Sequence, residues 1–145
     1  MLPADLITAI DHVGLAVPDL DDAIAFYTET FGFAVVHQEV NEEQGVREAM
    51  VAVGDSGSFL QLLAPLSPES AIAKFLARSG PGVQQVAYRV TDIDQATAAA
   101  RSQGMRLLYD SPRRGTADSR INFIHPKDAG GVLVELVEPA ADRAH

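Results

Sequence analysis

The chain contains no cysteine. This removes thiol catalysis, disulfide frameworks and zinc-finger spacings together, and it fits a reducing compartment. Basic residues are scarce beside acidic ones, 11 Lys and Arg against 20 Asp and Glu, giving a formal charge of −9. Nucleic-acid phosphates are held by clustered cations, so no nucleic-acid partner is expected. A small anionic ligand is still compatible with local positions such as Lys74, Arg113, Arg114, Arg120 and Lys127, although solvated surface charge is the commoner role for each alone. No apolar stretch approaches the ~20 residues that cross a bilayer as a helix. The opening MLPADLITAI has no basic region ahead of an apolar run, so the reading is a cytoplasmic protein with no membrane partner.

The chain's 145 residues suit one domain. That length buries roughly two thirds of the unfolded chain's surface without metal or disulfide support. Its most informative property is a repeat. IDHVGLAVPDLDDA, from Ile10 to Ala23, returns as VQQVAYRVTDIDQA from Val83 to Ala96, with Val13 on Val86, Val17 on Val90 and Asp19 on Asp92 at an offset of 73. Two copies of one supersecondary unit make a paired domain and not a solenoid.

Read in order, Ile10–Val17 is β-branched and apolar and stops at Pro18, which predicts a strand. Asp19 is placed to cap a helix from Leu20 to Phe31, with Asp21 and Asp22 in its first turn and Gly32 as its stop. Strands follow at Phe33–Val40, Arg47–Val53 and Ser58–Leu63, separated by the polar loop Asn41–Gly45 and the turn Gly54–Gly57. SPESAIAKFLARSG reads as a connecting helix with Ser67 as cap, Pro68 at the first position and Gly80 beyond the end. The second copy predicts a strand at Val83–Val90, a helix from Ile93 to Gln103, and strands at Met105–Tyr109, Arg120–Ile124 and Val132–Val137, with a frayed ADRAH terminus. The expected architecture is α+β: two tandem βαβββ modules at about 8–65 and 82–139, joined by a helix at about 67–79, in a single domain over 1–145.

The repeat also shows where polar groups interrupt apolar strands at equivalent positions, which is costly unless they are used or paired. His12 answers Gln85 at an offset of 73, and Gln61 answers Glu135 at 74. If the modules pack about a pseudo-twofold axis, these four side chains converge on a cleft. One imidazole, two amides and one carboxylate suit a divalent cation through N and O atoms, and the spacing does not name the metal. A lone His or Gln in a strand is usually a satisfied structural residue; two repeat-related pairs favour a site.

These residues carry a resemblance. The paired modules, IDHVGLAV near the start and VLVEL near the end resemble the vicinal oxygen chelate superfamily, which includes glyoxalases, extradiol dioxygenases and antibiotic-binding proteins. EVNEEQGVREAM, LQLLAP, SAIAKFLARSGPGV and SRINFIHPKDAGGVLVEL are more narrowly similar to methylmalonyl-CoA epimerases, and the likeness runs from about Ile10 to Val137. The resemblance implies a metal centre at His12, Gln61, Gln85 and Glu135, with Gln84-Gln85 where such epimerases typically show a His-His pair. It places the two catalytic carboxylates on Glu48 and Glu135.

It further implies an acyl-CoA substrate, a divalent ion among Co, Mn, Ni, Zn and Mg, and a homodimer. The implied reaction interconverts the (R) and (S) thioesters through a metal-stabilised enolate, with proton transfer by two bases. The other readings are a diverged enzyme of a specialised biosynthetic pathway and a non-catalytic binder of the antibiotic-sequestering kind. Extradiol dioxygenase chemistry is disfavoured, because its iron site wants two His and a carboxylate and this set has one His.

Overall fold

The computed structural model describes residues 1–141. Among them the order is β1 (Ile7–Ala16), α1 (Leu20–Phe31), β2 (Ala34–Asn41), β3 (Val46–Ala52), β4 (Phe59–Pro65), α2 (Ala71–Ser79), β5 (Gly82–Val90), α3 (Ile93–Ser102), β6 (Arg113–Arg114), β7 (Arg120–Ile124) and β8 (Val134–Glu138). The βαβββ order therefore occurs twice, and the fold is mixed α+β. The chain forms two compact units, one from His12 to Gln84 and the other from Met1–Asp11 with the chain from Gln85 onward, so β1 is divided between them.

In the His12–Gln84 unit the strand order is β2-β3-β4-β1. β3 runs antiparallel to both β2 and β4, and β4 runs parallel to β1. Asp19 caps α1 as its composition predicts, its side chain accepting from the Asp22 N–H, and Gly32 takes a φ of 72° to close the helix in the left-handed region. Leu20 of α1 packs with Ala49, Val51 and Leu62 on one face of the strands. Leu62 has no solvent exposure, and burying such a side chain stabilises by about 1.5–3 kcal/mol. Ile72 of α2 packs with Ala16, Val46 and Leu63 on the opposite face.

The second unit orders its strands β5-β8-β7-β6, with β5 parallel to β8 and β7 antiparallel to β8 and to β6. Ile93, Ala96 and Ala100 of α3 bury one face against Val90, Ile124, Val134 and Leu136. Leu6 joins that cluster and accepts from the Thr91 N–H at 3.1 Å. Two buried or half-buried charges secure the same end: the Arg89 Nε donates to Asp11 Oδ1 at 2.9 Å, and Asp11 has no solvent exposure.

Four expectations need correction. The cap of α2 is Ser70 and not Ser67: the Ser70 Oγ accepts from the Ala73 N–H, while Ser67 accepts from Ser70 in the preceding turn. Met105–Tyr109 forms no strand; only Leu107 bridges to Ile124. The Asn122 side chain takes the backbone of Tyr109 instead, accepting its N–H at 3.2 Å and donating to its carbonyl at 3.0 Å, so the ladder stops. The last strand begins at Val134 and not Val132, and β1 begins earlier than expected, at Ile7. Of the ADRAH terminus, the part from residue 142 lies outside the described residues.

Candidate active site

In the His12–Gln84 unit, strand register decides which side chains share a face. Gln61 stands beside Gly14 of β1 and Met50 of β3, and Glu48 stands opposite Leu63 of β4. Side chains alternate along a strand and match across a pair, so His12, Gln61 and Glu48 lie on one face, the one that α2 partly covers. His12 and Glu48 are each 3% exposed and Gln61 is 4% exposed. The Gln61 Nε2 donates to Glu48 Oε2 at 3.1 Å, two strands cooperating to hold a buried carboxylate by an amide.

The second unit contains its own amide–carboxylate couple. Ala87 of β5 stands opposite Glu135 of β8, and Phe123 of β7 stands opposite Glu135 on the other side. Gln85, two residues before Ala87, therefore shares a face with Glu135. The Gln85 Nε2 donates to Glu135 Oε1 at 3.2 Å, and both residues are buried. A carboxylate out of water needs donors to offset desolvation, and a neutral amide supplies one without neutralising the charge. Each couple thus holds a carboxyl group in one orientation.

The amides also bear on metal ligation. Among the described residues no three or more His, Cys, Asp and Glu side chains gather as a metal centre, so a cation held by the expected set would lean on amide oxygens. With each Nε2 committed to a carboxylate, the atom each amide offers is Oε1. One imidazole nitrogen, two amide oxygens and a carboxylate oxygen fit a hard, oxygen-seeking ion.

Two residues on this face escaped the sequence reading. β2 contains a bulge between Val35 and His37: Val35 pairs Val51, whereas His37 pairs Met50. The extra residue reverses the phase of the strand. Val35 consequently packs with the α1 cluster, while His37 and Glu39 turn to the face of Gln61 and Glu48. Glu39 stands directly opposite Glu48, and the His37 Nε2 hydrogen-bonds Glu39 Oε2. The available signal was the inverted pattern in VHQEV, where Val36 and Val40 are 55% and 52% exposed while the polar His37 and Glu39 are half-buried.

Comparison with known proteins places this arrangement. The profile described as Glyoxalase/Bleomycin resistance protein/Dioxygenase superfamily matches residues 11–123. The chain belongs to this superfamily. Within the glyoxalase/bleomycin resistance protein/dioxygenase superfamily it is similar to methylmalonyl-CoA epimerase from Mycobacterium tuberculosis, at 59% identity with a TM-score of 0.92, covering 97% of this chain and 93% of that one. A variant of Streptomyces coelicolor methylmalonyl-CoA epimerase in complex with 2-nitronate-propionyl-CoA shares 52% identity and a TM-score of 0.90, covering 93% and 99% of the two chains. The ethylmalonyl-CoA/methylmalonyl-CoA epimerase of Cereibacter sphaeroides is 35% identical over 133 residues, 90% of this chain and 98% of its own.

Proposed function

We propose that the chain interconverts the (R) and (S) forms of methylmalonyl-CoA by removing the proton at C2 and returning it on the opposite face. The observation that carries this reading is the pair of buried carboxylates, Glu48 and Glu135, each held by an amide donor from a neighbouring strand, in a chain similar to acyl-CoA epimerases along nearly its whole length. Epimerisation needs a proton acceptor on one face of a planar enolate and a donor on the other, and Glu48 and Glu135 supply these two roles. The amides orient the carboxyl groups, and burial keeps water from competing for the carbanionic carbon.

His12, Gln61, Gln85 and Glu135 are the residues that would hold a divalent ion. When bound, such an ion supplies Lewis acidity toward the carboxylate and thioester oxygens of the substrate, favouring the enolate. The protein is proposed to act in the cytoplasm as a homodimer; among the described residues no helix is long and apolar enough to cross a membrane.

The direct test incubates the metal-loaded protein with methylmalonyl-CoA in deuterated water and follows C2 by NMR or mass spectrometry. Deuterium should enter C2 with at least one of Mg, Mn, Co, Ni and Zn. Retention of the C2 proton with all five would refute the reading.

Gln85 supports a second expectation. An amide oxygen is a neutral and weaker ligand than imidazole and prefers harder ions. Gln85→His should therefore raise affinity for a late first-row ion such as zinc or nickel, which imidazole suits better than an amide oxygen does. Calorimetric titration reads this without any assay of turnover, and unchanged affinity would count against position 85 as a ligand.

A further inference from the structure

A two-base epimerisation leaves a proton-balance problem. When the C2 proton passes to one carboxylate and the other carboxyl delivers a proton to the opposite face, each base ends in its partner's starting state. Another turnover in the same direction requires both to exchange protons with solvent. Glu48 is only 3% exposed, so neighbouring protein groups that reach solvent can carry its exchange.

The face that carries Glu48 provides such a path. Glu39 is its direct cross-strand neighbour on β2, and side chains so paired have Cβ atoms about 4.5–5.5 Å apart, within reach of one another directly or across one water. Glu39 in turn hydrogen-bonds the imidazole of His37, whose side chain is 37% exposed against 13% for Glu39. Exposure therefore rises stepwise from Glu48 through Glu39 to His37. Glu39 and Glu48 also line one open crevice of about 150 Å³ with Gln38, Val40 and Arg47. Arg47 directs its guanidinium to Asp21 at 3.1 Å.

We infer that Glu39 and His37 form a proton relay between Glu48 and solvent, resetting Glu48 after each turnover. The inference rests on the reading of Glu48 as the residue that exchanges a proton with C2. After the substrate proton has moved to Glu48, its carboxyl O–H releases that proton to the Glu39 carboxylate. Glu39 releases it to Nε2 of His37, and the other ring nitrogen gives up its proton to water. One proton leaves and one arrives at each group; the two carboxyl groups return to their original states, and the imidazole, left as its other tautomer, is restored by exchange of its ring protons with water. An imidazole can accept a proton at one ring nitrogen and give one up from the other, which suits the more exposed His37 to the solvent end. His37 and Glu39 act through Glu48 and touch no reacting atom.

The test compares wild type, Glu39→Gln and His37→Gln, all metal-loaded, in two regimes. With enzyme in excess, a single turnover of C2-deuterated methylmalonyl-CoA should proceed within about twofold of wild type in both variants, since the relay acts only after the chemistry. In steady state and dilute phosphate-free buffer, kcat should fall about tenfold, the step having lost its proton-transfer group. Added imidazole should restore kcat for His37→Gln and leave wild type unchanged. Steady-state rates equal to wild type, or a loss that imidazole does not relieve, would overturn the relay alone. A wild-type enzyme that releases no C2 label would overturn the epimerase reading together with the relay.

Discussion

Glu48→Gln should lower the rate of C2 exchange by about 10²–10⁴-fold, the usual contribution of a positioned general acid or base. The substitution is nearly isosteric and leaves the neighbouring register intact. It replaces a group that accepts a proton with one that cannot, and it changes what the Gln61 Nε2 can donate to: the amide now meets either a carbonyl oxygen or another amide nitrogen at the 3.1 Å contact. Glu135→Gln should show a comparable loss in exchange, with an added loss of metal affinity because Glu135 would also be a ligand. The contrast separates the roles. Calorimetric titration of Glu48→Gln should give a metal affinity close to wild type, whereas Glu135→Gln should bind more weakly. If Glu48→Gln exchanged C2 as fast as wild type, the assignment of a base to β3 would fail.

The second large effect concerns stability. Arg89→Leu should destabilise the protein by about 3–5 kcal/mol, because it withdraws the guanidinium from a carboxylate buried out of water. Asp11 has no exposure and Arg89 reaches it at 2.9 Å from β5, so the pair ties the start of β1 to the unit that contains Gln85 and Glu135. Chemical denaturation gives the loss as a lower midpoint at unchanged slope. The double variant with Asp11→Asn should recover part of it, since the buried charge is then gone. A single-variant loss under about 1 kcal/mol would show that the pair behaves as a surface ion pair.

Local chemistry made much of the fold legible. Asp19 and Gly32 bracket α1 at the residues their side chains and backbone freedom predict, and Arg120–Ile124 forms a strand over its expected span. What could not be read depends on choices between near-equivalent local partners. SPES offers two serines for one cap, and the turn made by Ser67 with Ser70 leaves the second to cap the helix. Met105–Tyr109 has strand-like letters, yet Asn122 from a distant strand captures the Tyr109 backbone and ends the pairing.

The site divides in the same way. His12, Gln61, Gln85 and Glu135 stand out because the repeat sets polar residues at matching places, and Glu48 stands out through its motif. The hydrogen bonds of Gln61 to Glu48 and of Gln85 to Glu135 arise from cross-strand register, which period-two alternation leaves open. His37 and Glu39 were hidden for a related reason. A strand read without its bulge has one phase throughout, whereas β2 changes phase at Val36.

That change of phase makes β2 a strand with two separately adjustable segments. Before the bulge, substitutions are judged by how well they fit beneath α1; after it, by what they do beside Glu48. Deleting Val36 would remove the bulge and leave a regular strand in which His37 still stands opposite Met50 and Glu39 opposite Glu48, so both keep their facing. A variant library confined to residues after the bulge could therefore change the surroundings of Glu48 while leaving the helix-facing Val35 untouched.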